Sequence, residues 1–163
     1  MNEHARRPVL ELLRRVPPLQ QDMTVSEAAH RIAEAGSGLP VVDAAGRLVG
    51  YLGERDLLRA ITPGYLRELR DTDFFTRDLS ALSRCVAAAA PSLVSEHMSA
   101  SPAYVDLDDS ETHAAELFLH GAVRSLAVVD SDGEVVGILR LGDLIADLMR
   151  AGGSVEPPGA AAD

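Results

Sequence analysis

Residues 40–58 read "PVVDAAGRLVGYLGERDLL", and residues 127–145 read "AVVDSDGEVVGILRLGDLI". One pattern is written twice. Asp43 matches Asp130, Gly46 matches Gly133, Val49 matches Val136, Gly50 matches Gly137 and Asp56 matches Asp143, each pair 87 residues apart. Upstream, Ala28-Ala29 matches Ala114-Ala115 at an interval of 86, so one residue is inserted between these segments in the second copy. Identities that hold register over such a distance mark an internal repeat. The copies cover roughly residues 16–61 and 101–150.

Each copy follows the same order. In "TVSEAAHRIAEAG", Val25, Ala28, Ala29, Ile32 and Ala33 fall on one helical face. Thr24 and Glu27 form a capping box at its start, and Gly36 ends it. "LPVVD" is a short buried strand, "AAG" is a turn in which Gly46 takes positive φ, "RLVGYL" is the next strand and "ERDLLRAI" a closing helix. The second copy runs "SETHAAELFLHGA", "LAVVD", "SDG", "EVVGIL", "LGDLIADLM". Neither copy is long enough to cover both faces of its own small sheet. Two packed copies bury the shared faces, so the duplication is first a folding device.

Composition bounds the function. The 163 residues are 47% hydrophobic, which supports a packed core in one domain or two very small ones. A net charge of −10 argues against a nucleic-acid binder, which needs a basic face for phosphates. It leaves room for a small anionic ligand held by local arginines. Cys85 is the single cysteine, so no internal disulfide forms and a reducing compartment is expected. The charged opening "MNEHARRPVLELLRR" has no apolar signal core, and no run has the length of a bilayer span. A soluble cytoplasmic protein is the expectation, with no membrane partner. The tail "AGGSVEPPGAAAD" is expected to be flexible.

"TVSEA…LPVVDAAGRLVGYLGERDLL" and "SETHAA…LAVVDSDGEVVGILRLGDLI" resemble the CBS domain, the motif named after cystathionine β-synthase. The resemblance covers well over half the chain. It implies a tandem CBS pair, or Bateman module: an α/β fold of two intertwined βαββα repeats with pseudo-twofold symmetry and a helical insert between them. The expected division is 1–61 for the N-terminal segment and first repeat, 62–96 for the insert, 97–150 for the second repeat and 151–163 for the tail. The resemblance further implies a homodimer and a regulatory role. The implied ligand is an adenine nucleotide (ATP, ADP or AMP) or S-adenosylmethionine, bound between the repeats, with no required cofactor.

The family's ligand signature is Gly, two apolar residues, Ser or Thr, two variable residues, then Asp. Here it reads Gly50-Tyr51-Leu52-Gly53-Glu54-Arg55-Asp56 and Gly137-Ile138-Leu139-Arg140-Leu141-Gly142-Asp143. Both aspartates are present to accept ribose hydroxyls. Both hydroxyl residues are replaced, by Gly53 and Arg140. Gly53 still caps a helix whose N–H groups hold an anion, and Arg140 offers a planar fork to phosphate. An Asp in the first turn also serves the helix dipole with no ligand at all. By the resemblance, residues before each "VVD" strand line the cleft: Ser37 and Gly38 in the first copy, Arg124 and Ser125 in the second. Each cleft also borrows an opening strand, near Val16 for one and Ala103-Tyr104 for the other. Tyr104 either stacks on a base or packs in the core. On this reading Arg124, Arg140 and Asp143 gather at one cleft, the better anion site, and the first-copy cleft has no cation.

Between the copies, Tyr65, Leu66 and Leu69 suit one short helix, and Leu79, Leu82 and Val86 another that Pro91 ends. The insert reads as a hairpin covering core, a lid over a cleft, or a dimer surface. Cys85 reads as a small buried hydrophobe. In the acidic run Asp106, Asp108, Asp109, either Asp109 or Ser110 caps the following helix. No phosphate loop, no dinucleotide fingerprint, no metal-ligand spacing and no nucleophilic triad can be argued, so an enzyme is not expected. Two readings stand: a ligand sensor acting on an unknown effector protein, and an interaction module of the same fold that binds no ligand, favoured by the missing hydroxyls.

Overall fold

The structure, a computed structural model, describes residues 8–62, 79–121 and 123–153. The first repeat comprises β1 (Leu19–Gln20), α1 (Val25–Ala35), β2 (Leu39–Val42), β3 (Leu48–Leu52) and α2 (Glu54–Ile61). Helix α3 (Leu79–Ala89) follows. The second repeat comprises β4 (Tyr104–Asp106), α4 (Glu111–His120), β5 (Ser125–Val129), β6 (Val135–Arg140) and α5 (Leu141–Gly153). Each repeat is therefore βαββα. Each carries a three-stranded sheet in which the first strand is parallel to the second and the second antiparallel to the third. The register shifts at Val41/Val42 in one hairpin and at Val128/Val129 in the other, so even the bulge is duplicated.

The local chemistry follows the sequence. Thr24 accepts from the Glu27 N–H at the start of α1, and the Glu27 carboxylate accepts from the Thr24 N–H at 3.0 Å. Gly36 ends that helix in the left-handed region, at φ 67°. Of the apolar face read for α1, Val25, Ala28 and Ile32 are buried, whereas Ala33 is exposed. In the hairpins, Asp43 Oδ1 accepts from the N–H of Ala45 and Arg47, and Asp130 Oδ1 from those of Asp132 and Glu134. The aspartate of each "VVD" is thus a turn residue that folds the chain onto itself. Gly46 and Gly133 complete the turns at φ 80° and 77°. Ser110, not Asp109, caps α4 through the His113 N–H; Asp109 instead accepts from the Asp106 N–H at 2.8 Å.

The two repeats exchange their leading segments. Residues 8–14 precede the first repeat but pair with the second: Pro8 bridges Ser110, and Arg14 bridges Ile138 through two backbone hydrogen bonds of 2.9 Å. Residues 93–99 precede the second repeat but pair with the first: Leu93 bridges Thr24, and Ser99 bridges Tyr51 at 2.8 and 3.0 Å. Val9 and Val94 have no exposed surface, and each enters the core of the repeat it visits. Burying such a side chain contributes about 1.5–3 kcal/mol. Val9 packs with Val105, Ala114, Phe118, Leu126 and Leu139; Val94 packs with Leu19, Ala28, Ile32, Val41 and Leu52.

The pseudo-twofold relation is visible where equivalent residues meet. Gly38 and Ser125 occupy matching positions, and Ser125 Oγ donates to the Gly38 carbonyl at 2.8 Å. Arg47 and Glu134 also match, and they bridge at the hairpin tips. In α3, Ala81 and Ala89 are buried and Val86 is exposed. Pro91 lies just past its end, as read, and Cys85 is half-buried. The helix read at Tyr65, Leu66 and Leu69 lies outside the described residues, as does the tail beyond residue 153. Among the described residues, no helix is long and apolar enough to cross a membrane.

Candidate functional site

Strand β3 delivers Tyr51 to the junction of the repeats. Its ring is 6% exposed, and its hydroxyl lies 2.8 Å from Ser125 Oγ. This one aromatic explains two glycines. A Cβ on Gly38 would collide with the Tyr51 hydroxyl and come within 2.8 Å of Gly53 Cα. A Cβ on Gly53 would lie 3.2 Å from Tyr51 Cε1 and 3.5 Å from Asp56 Oδ2. The matching residues of the second repeat are Ile138, Ser125 and Arg140, where an aliphatic side chain leaves room for larger neighbours. Tyr51 therefore leaves little room for the side chain that the first signature lacks at Gly53.

A cleft of about 300 Å³ opens above this tyrosine. Gly53, Glu54, Arg55 and Asp56 line it from the start of α2 and Arg59 from its last turn; Arg124 comes from the opposite repeat and Ser99 from the exchanged segment. Gly53 is the N-cap of α2, and Asp56 Oδ2 accepts from the Gly53 N–H at 3.0 Å. Arg59 Nη1 donates to Asp56 Oδ1 at 3.3 Å. The cleft thus presents three guanidinium groups, a helix N-terminus and two carboxylates, Glu54 and Asp56. That combination suits an anion joined to a hydroxyl-bearing group.

The matching place in the second repeat is built differently. Arg14 stands where the first cleft has Ser99, and it clasps Asp143 with both Nε and Nη2, the latter at 3.0 Å. Arg140 Nε lies 3.5 Å from the same carboxylate. The hydrogen bond from Arg14, reinforced by the charges of both arginines, holds the Asp143 carboxyl below the usual carboxylate range. A side chain on Gly36 would approach Arg140 Nη1 to 3.9 Å, and the adjoining Ser37 is buried with a hydroxyl that finds no partner among the described residues.

The structure therefore rearranges the residues read from the sequence. It does not gather Arg124 with Arg140 and Asp143: the Arg124 backbone accepts from the Leu141 N–H at 3.0 Å, but its side chain lines the cleft of Asp56. The expectation of a first-copy cleft without a cation is corrected by the same crossing. Gly38 and Ser125 meet where the two repeats join, hydrogen bonded to each other, and Ser125 is also bonded to the Tyr51 hydroxyl. Val16 is half-buried against the first core, and Arg14, two residues earlier, is what reaches the second repeat. Ala103 and Tyr104 are exposed. Tyr104, at 52% exposure, is neither core nor part of the cleft at Asp56; it borders a broad acidic hollow with Asp106, Asp108, Asp130 and Asp132. Among the described residues no group of His, Cys, Asp or Glu is arranged to hold a metal ion. Sequence reasoning missed Arg14, Tyr51, Arg55, Arg59 and Ser99. Only Tyr51 left a signal, as a tyrosine where the other copy has isoleucine.

Two exchanged βαββα repeats with a cleft at the N-terminus of the first closing helix define a tandem CBS pair. The chain belongs to the CBS domain family, whose model matches residues 9–63 and 94–150. It is 32% identical over 129 residues to the chloroplastic CBS domain-containing protein CBSX2 of Arabidopsis thaliana, and 30% identical over 128 residues to CBSX1 of the same plant. Each alignment takes in 75% of this chain and 54% of the relative, so the chain spans about half the length of these relatives. The crystal structure of CBSX2 superposes with a TM-score of 0.70 at 24% identity, covering 91% of this chain and 98% of that one. The structure of CBSX2 in complex with AMP superposes with a TM-score of 0.64 at 25% identity, covering 89% and 98%.

Tyr51 has a titration that reports the junction. Burial pushes its phenol up to about 12, against the opposing hydrogen bond with Ser125. An unfolded tyrosine ionises near pH 10. Between these values the unfolded chain releases a proton that the fold retains, so stability falls as pH rises through that window, by about 2–3 kcal/mol. Tyr51→Phe is expected to lose about 1 kcal/mol at neutral pH and to flatten the alkaline decline. Urea unfolding at a series of pH values measures both. An alkaline decline equal to that of the wild type would place the phenol in water.

Proposed function

We infer that this chain is a regulatory module that senses an adenine nucleotide, bound in the cleft between Asp56 and Arg124. The observation that carries the reading is that crossing. A carboxylate of the first repeat and a guanidinium of the second face one cleft, so an occupant touching both ties the repeats together. Asp56 accepts the ribose hydroxyls; Arg124, Arg55 and the α2 N-terminus hold the phosphate; the Tyr51 ring forms the wall. The AMP complex of CBSX2 supports the choice of ligand. We read the role as binding and signalling to a partner, without catalysis, in the reducing cytoplasm that the lone Cys85 suits.

We also infer self-association. Leu58 on α2 and Ile145 on α5 occupy matching positions, and both are exposed, at 59% and 46%. Leu148 and Met149 extend the α5 patch, and such a patch marks an association surface. A homodimer formed there places α2, which starts at the ligand, next to the partner molecule, and occupancy would then be read as a population shift.

Thermal unfolding of the whole chain against ATP, ADP, AMP and S-adenosylmethionine tests the sensor. AMP at about a hundred times its dissociation constant stabilises by about 2.7 kcal/mol and raises the midpoint accordingly. Light scattering on the same samples reads the dimer. If none of the four compounds moves the midpoint, the sensor reading is lost and the ligand-free interaction module takes its place. A monomeric mass removes the dimer.

A further inference from the structure

We propose that Arg14 is a built-in occupant of the second cleft, which limits the chain to a single ligand site. This rests on the nucleotide reading given above and adds what decides the stoichiometry. The repeats are alike enough that two sites would be the default. Ser99 and Arg14 hold the same register, each bridging the centre of the third strand of the opposite repeat, Tyr51 and Ile138 respectively. Ser99 is small and lines open space. Arg14 projects a guanidinium into the matching place and binds both oxygens of Asp143.

The chemistry of the carboxylate makes the consequence. A carboxylate offers about four lone-pair sites to donors, and a ribose diol needs two of them on adjacent oxygens. At Asp56 one oxygen serves the Gly53 N–H, and the other has the single 3.3 Å contact from Arg59, an exposed side chain making one hydrogen bond rather than a fork. At Asp143 the fork of Arg14 takes one site on each oxygen, and Arg140 approaches a third. Bidentate arginine is the strongest common partner of a carboxylate, and its planar geometry covers the edge that a diol would use. The Arg14 backbone is pinned on both sides to Ile138, which fixes the point from which its half-exposed side chain reaches Asp143.

Calorimetric titration of the whole chain with AMP tests this, using wild type, Asp56→Asn, Arg14→Ser and the double variant. Arg14→Ser copies the residue already present at Ser99. Arg14→Gln, which keeps the stem but not the fork, is the second choice if the serine variant unfolds. Wild type is expected to bind a single AMP per chain, and Asp56→Asn to lose it. Arg14→Ser is expected to bind a second, and the double variant to keep that second site alone. A double variant as silent as Asp56→Asn overturns the role of Arg14 while leaving the first-cleft reading intact. A silent wild type with a binding Arg14→Ser overturns the first-cleft reading and keeps this one. Two sites in the wild type, or silence in all four, overturn the proposal.

Discussion

Replacing Gly137 with valine is expected to lower the unfolding free energy by about 3 kcal/mol, at the upper end of the cost of overpacking. Any Cβ there meets the Arg14 carbonyl oxygen and lies 2.7 Å from Leu13 Cδ1. The obstacle is backbone, which has no rotamer to move into. The exchanged segment would have to lift, taking with it the two Arg14–Ile138 hydrogen bonds and the seat of Val9. Gly50, its match, faces the Met98 sulfur first and the Ser99 carbonyl oxygen at 2.9 Å. Met98 is flexible, so Gly50→Val is expected to cost less, about 2 kcal/mol. Urea midpoints decide. A Gly137→Val protein as stable as the wild type would mean that residues 8–14 do not cross to the second repeat.

Asp56→Asn is expected to weaken AMP binding about a hundredfold. The amide still accepts from the Gly53 N–H, so the α2 cap is kept and the fold is spared. What is lost is the charge, and a charged acceptor is worth about 1.5–3 kcal/mol per hydrogen bond. Two such bonds to a diol account for the factor, at about 1.4 kcal/mol per tenfold. Arg124→Ala removes one phosphate partner while Arg55 and the helix N-terminus remain, so about tenfold is expected. Asp143→Asn should matter less than either, since that carboxylate is already engaged by Arg14. Calorimetry on the three proteins gives the ranking. If Asp143→Asn proves the most damaging, the ligand belongs to the second repeat.

The fold was legible because its evidence is periodic. The capping box of Thr24 and Glu27 and the turn glycines are local patterns, which survive into structure, and the recurrence of those glycines at an interval of 87 residues marks the repeat. The site was legible only in part. Asp56 and Gly53 sit where the signature puts them, at the start of a helix. The assignment of Arg124 failed because backbone and side chain part company there: the backbone stays with the second repeat, and the side chain crosses to the first. Arg14 was invisible for a related reason. It precedes the repeat to which it belongs in sequence and serves the other in space, and no periodicity records an exchange between segments more than 120 residues apart.

That exchange also orders events during synthesis. Val9 and Arg14 are made more than a hundred residues before their partners Leu126, Ile138 and Asp143. The first repeat, for its part, waits for Val94 to fill its core. Until Ser99 is made, a ribosome-bound intermediate carries an unpaired edge at β3, and until Leu126 and Leu139 are made Val9 has no core to enter. The same swap that locks the finished halves together leaves the nascent chain without an early resting point.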